Sequence, residues 1–151
     1  MTVTSTETGV PDVDVGRAAI AAAAVAVGVA GCAAPPAALG NRSATVTING
    51  KTTGPAHPVE CSQAGWTWLI DSPGEKSGFS AAVQSGATMT ANSVQIRDLG
   101  GFTGSFWEGT VGDAEASVNG GMFTITGTAH GFFADNPTGE ANATFEITTA
   151  C

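Results

Sequence analysis

Three cysteines, Cys32, Cys61 and Cys151, and two histidines, His57 and His130, are the side chains of this 151-residue chain with the widest chemical repertoire. A thiolate is a nucleophile, a metal ligand or half of a disulfide. Cys32 closes the tetrapeptide Val29-Ala30-Gly31-Cys32. The two small residues ahead of this thiol leave it sterically open, and as a nucleophile it can accept an acyl-bearing group. A zinc or redox role fits poorly, because no C-x-x-C is present and histidines are few.

The element that must position Cys32 is the stretch before it. Ala18 to Gly31 carries no charge and no hydrogen-bonding side chain. A bilayer-spanning helix needs about 20 apolar residues, whereas a signal-peptide core needs roughly 7–15. Pro35 and Pro36 then stop any helix. Residues 1–31 therefore read as a signal peptide and residues 32–42 as a lipidated tether. The tetrapeptide in this setting resembles a bacterial lipobox, with Cys32 as the lipidated residue. The alternative is a buried free cysteine after an alanine-rich helix. Glu7, Asp12 and Asp14 precede the first basic residue, Arg17, where positive charge is usual. This predicts a translation start near residues 13–15, at Val13 or Val15.

If Cys32 carries lipid, Cys61 and Cys151 remain as an even pair, and export places them where disulfides persist. A bridge between them would close a loop of about 90 residues and stabilise by roughly 4–5 kcal/mol on the chain-entropy model. Two free core cysteines are the other reading.

The frame around these residues is β-rich. The chain has 21 glycines and only 12 % charged residues, with a net charge of −8. From residue 32 onward there are four basic and ten acidic residues, a net charge of −6. Without a basic cluster, nucleic acid is not an expected partner, and an acidic surface is repelled by anionic lipid head groups. Membrane attachment must then come from the lipid anchor.

Alternating segments begin at Ser43-Ala-Thr-Val-Thr-Ile48, and Asn49-Gly50 supplies a type I′-like turn. Trp66, Trp68 and Ile70 share a face; so do Phe79, Ala81 and Val83. Asn119-Gly120-Gly121 turns the clearest hairpin, and Ala143, Phe145 and Ile147 line one face of the last strand. The sequence predicts an all-β domain over residues 43–151. Its architecture is a small antiparallel β sandwich or strongly curved sheet of about seven to eight strands. Residues 78–85 can alternatively form a short helix.

Other candidate chemistry is thin. Neither H-E-x-x-H nor G-x-S-x-G occurs, so His57, His130 and Asp135 read as solvated or hydrogen-bonded residues rather than a catalytic or metal set. Gly100, Gly101 and Gly104 lack the lysine of a phosphate loop and read as a bulge or turn. Glu108, Asp113 and Glu115 lack calcium-loop spacing. No enzyme, metal or cofactor is assigned. The aromatic residues Trp66, Trp68, Phe106, Trp107, Phe132 and Phe133 are the open set. Neighbours on a strand face opposite sides, so one of each adjacent pair can reach the outer face and line an apolar surface for a lipid or partner. Core packing is the competing use.

VTINGK (46–51), VEC (59–61), GFSAAV (78–83), FTITGTAHG (123–131), ADNP (134–137) and FEITTAC (145–151) together resemble the mycobacterial nineteen-kilodalton lipoprotein antigen family. The resemblance runs in order from Thr45 to Cys151. It implies acylation of Cys32 and a Cys61–Cys151 disulfide. It also implies a non-enzymatic, extracytoplasmic antigen anchored in the cell membrane or outer envelope and recognised by host innate receptors. Carriage of a hydrophobic envelope lipid in an aromatic-lined cavity is the alternative function.

Overall fold

The computed structural model describes residues 42–151. The expected signal peptide, the expected shifted start and the expected lipidation of Cys32 fall on residues outside those described. Within them every regular element is a strand. In β1 (Ser43–Ile48), Ala44, Val46 and Ile48 are buried while Ser43 and Thr45 face solvent. Asn49 and Gly50 follow with φ of 50° and 74°. Positive φ at both central residues is what a type I′ turn demands, and glycine meets it without a Cβ clash. The turn leads into β2 (Lys51–Thr52), which pairs back on β1.

A two-residue strand, β3 (His57–Pro58), pairs with the start of β1. Four hairpin-linked strands come next: β4 (Glu60–Ala64), β5 (Thr67–Asp71), β6 (Gly78–Gln84) and β7 (Thr90–Leu99). Then come β8 (Phe102–Trp107), β9 (Asp113–Asn119), β10 (Met122–Phe133) and β11 (Asn136–Ala150). All pairings are antiparallel. The order across the sheet is β2-β1-β11-β10-β8-β7-β6-β5-β4, with β3 on β1 and β9 on β10.

This is one strongly curved, unclosed sheet, as the alternation predicted. The strand count exceeds seven to eight partly because β2 and β3 are too short to show a period. The short-helix reading of residues 78–85 is corrected: Gly78–Gln84 form β6, because Phe79, Ala81 and Val83 alternate inward, and Ser85 follows the strand. Trp66 sits with Gly65 in the two-residue loop between β4 and β5, not on a strand.

β10 joins the two halves. Its first part, Met122–Thr128, pairs with β9, and its last part, His130–Phe133, pairs with β8. The sheet curls until its halves face one another. Trp68 of β5 meets Phe123 of β10 with ring centroids 5.3 Å apart, although three strands separate them in the sheet. Between the halves lies one continuous apolar core containing Phe79, Phe102, Phe106, Phe123, Phe145 and Ile147. Cys61 on the far edge strand and Cys151 after β11 are bonded, with Cα atoms 5.9 Å apart. The bridge ties one edge of the sheet to the chain end.

Candidate functional site

The aromatic set divides by strand parity. Phe106 is fully packed in the core and its neighbour Trp107 is 54 % exposed. Phe133 packs inward against Phe102, ring centroids 5.2 Å apart, while Phe132 is 37 % exposed on the outer side. Gly104 makes this pairing possible, since a Cβ there would meet the Phe102 ring and the His130 carbonyl. The glycine-rich stretch after β7 is thus a turn followed by a packing contact: Gly100-Gly101 close the β7–β8 hairpin.

Trp68 is half-buried against Phe123, and Trp66 stands at the β4–β5 tip, 73 % exposed. The six aromatics therefore do not share one surface. Phe106, Trp68 and Phe133 belong to the core; Trp107 and Phe132 lie on the outer face of the sheet; Trp66 is apart from both.

The histidines are also separated. His57 Nε2 lies 3.1 Å from Thr53 Oγ1, beside β1. His130 Nδ1 lies 2.8 Å from Asn142 Oδ1, on β10 and β11. The groove lined by His130 does not include His57. Asp135 lies in the two-residue loop between β10 and β11. Glu108 accepts from Asn92 Nδ2 at 3.2 Å, and Asp113 and Glu115 are exposed on β9. Among the described residues, no group of three or more His, Cys, Asp or Glu side chains is arranged to hold a metal.

The outer face of β5–β8 carries the side-chain assembly that the sequence does not reveal. Leu69 pairs with Ala82, Ala82 with Ser93, and Ser93 with Trp107. Two large apolar residues thus flank two small ones in a single row across four strands. The signal was present only as alternation; which residues stand opposite one another depends on register.

The family model described as Mycobacterium 19 kDa lipoprotein antigen matches residues 37–151. A putative lipoprotein of Mycobacterium avium subsp. hominissuis is 40 % identical over 135 residues, covering 89 % of this chain and 93 % of that protein. Probable lipoprotein LppE of Mycobacterium tuberculosis is 33 % identical over 128 residues, 84 % of this chain and 90 % of its own length. Lipoprotein LpqH of Mycobacterium avium is 36 % identical over 107 residues, 70 % of this chain and 66 % of its own length.

Proposed function

Because the chain belongs to the Mycobacterium 19 kDa lipoprotein antigen family, we propose that it is a non-enzymatic envelope lipoprotein held at the membrane by acyl chains on Cys32. The observation that carries this reading is the division of the thiols. Cys61 and Cys151 are bonded to each other, which leaves Cys32, at the end of Val29-Ala30-Gly31, as the remaining cysteine of the chain. One acyl chain holds a protein marginally, whereas two or three anchor it, at about 0.8 kcal/mol per buried CH₂. The anchor supplies the attachment that a chain of net charge −6 from residue 32 onward cannot obtain from anionic head groups.

In this reading the acylated N-terminus is also the part engaged by host innate receptors, and the β domain is the antigenic body. The family's printed description supports the antigenic role. Phenylalanine side chains packed between the two halves of the sheet favour this reading over carriage of a lipid there. The test is labelling of the full chain in its host with a radioactive fatty acid, followed by detergent phase separation. Wild type is expected to take up label and enter the detergent phase; Cys32→Ala is expected to lose both. Label retained by Cys32→Ala would contradict the assignment.

A further inference from the structure

We infer that the outer face of β5–β8 and β10 is a binding strip for a neutral oligosaccharide, with Trp107 and Phe132 as its two stacking platforms. Along β8 the outward positions are Trp107, Ser105 and Thr103, and Phe132 of β10 stands directly opposite Thr103. Four residues of strand separate the two aromatic levels, about 13–14 Å at 3.4 Å per residue. That is the reach of a short oligosaccharide rather than of a single sugar ring.

Between the rings runs a polar row. Gln95 is paired with Ser105, and Ser105 with His130. Among the described residues the side chains of Gln95 and Ser105 have no hydrogen-bond partner, and His130 spends only Nδ1, on Asn142. Their free amide, hydroxyl and imidazole groups can donate and accept in one line, as sugar hydroxyls require. Arg97 is held in place by Ser80 Oγ at 3.3 Å and the Ser72 carbonyl at 3.2 Å.

The small side chains in these rows leave two shallow depressions on this face. One depression of about 190 Å³ lies between Leu69 and Trp107. A second of about 290 Å³ lies beside Arg97, His130 and Phe132. Gln95 lines both. Each is smaller than the roughly 300–1,000 Å³ of an ordinary ligand pocket; joined end to end they suit an extended ligand.

Charge selects its type. Among the residues lining the two depressions, Asp71 and Arg97 carry the formal charges, one of each sign. The surrounding domain is net acidic, so an anionic glycan is disfavoured. Aromatic faces exposed beside hydrogen-bonding groups match the alternating C–H and O–H surfaces of a neutral sugar chain. The inference concerns the β domain and stands independently of the acyl anchor.

The test is tryptophan fluorescence of the full chain in a polyoxyethylene detergent. It is titrated with cellotetraose, laminaritetraose, maltotetraose and mannotetraose, and with tetragalacturonate as the anionic comparison. At least one neutral sugar is expected to shift the emission. Trp107→Phe should remove the shift and Trp66→Phe should keep it. Phe132→Ala should weaken binding by about tenfold, the value of one good aromatic contact, with an unchanged far-ultraviolet circular dichroism spectrum. The inference is overturned if no neutral tetrasaccharide binds at millimolar concentration. It is equally overturned if isothermal titration calorimetry shows undiminished sugar binding by both Trp107→Ala and Phe132→Ala, or if tetragalacturonate binds as tightly.

Discussion

Two rows of side chains cross the same five strands one residue apart, and their environments are opposite. The inner row is Cys61, Ile70, Ala81, Val94 and Phe106; the outer row is Ser62, Leu69, Ala82, Ser93 and Trp107. Four members of the inner row are buried, and the fifth is bonded to Cys151. In the outer row the large apolar residues Leu69 and Trp107 are 39 % and 54 % exposed. Composition alone does not explain the difference, since each row contains an alanine, a large aliphatic residue and an aromatic. What separates them is the curl of the sheet, which sets the other half of the molecule against one face only. The inner row carries stability, and the outer row is free to carry recognition.

Substitutions can break that comparison. The largest effect is expected where the inner row meets the chain end. Replacing both Cys61 and Cys151 with serine should cost about 4–5 kcal/mol, because the bridge spans 90 residues; denaturant titration measures it. Phe106→Ala should cost about 3–5 kcal/mol, the usual range for deleting a buried aromatic, and the same titration would read it as a lower midpoint. Away from both rows, Gly50→Ala places a Cβ at φ 74° and should cost about 1–2 kcal/mol, visible as a fall in melting temperature. The smallest effect sharpens the contrast: Trp107→Ala, one residue from Phe106, should change stability by no more than about 0.5 kcal/mol. A loss at Trp107 equal to that at Phe106 would erase the distinction between the faces.

Much of the fold was legible because period-two alternation survives in the sequence. Ala44, Val46 and Ile48 announce β1, and Ala143, Phe145 and Ile147 announce the end of β11. The Asn49-Gly50 and Gly120-Gly121 turns were legible because positive φ selects glycine and asparagine. Alternation alone puts Trp66 on a strand, because the loop after β4 is only two residues long and Trp66 has the parity of Trp68. The adjacent aromatic pairs showed that one member of each could face outward, but not which one.

The outer row was illegible for a different reason. Leu69 and Trp107 are 38 residues apart in sequence, and they share a row only through three successive pairings. One of these follows an irregularity beside Ala82. A shift of one residue would have sent every side chain to the other face. His130 and Gln95 met in the same way, through Ser105 rather than through any local motif.

Peptide mass mapping of the mature protein isolated from its own host, without reduction, tests the central division of labour among the cysteines. The account predicts a chain that begins at Cys32 bearing acyl groups, together with a cross-linked peptide containing Cys61 and Cys151. A free thiol at Cys32, or a mature chain that retains residues ahead of it, would contradict the account.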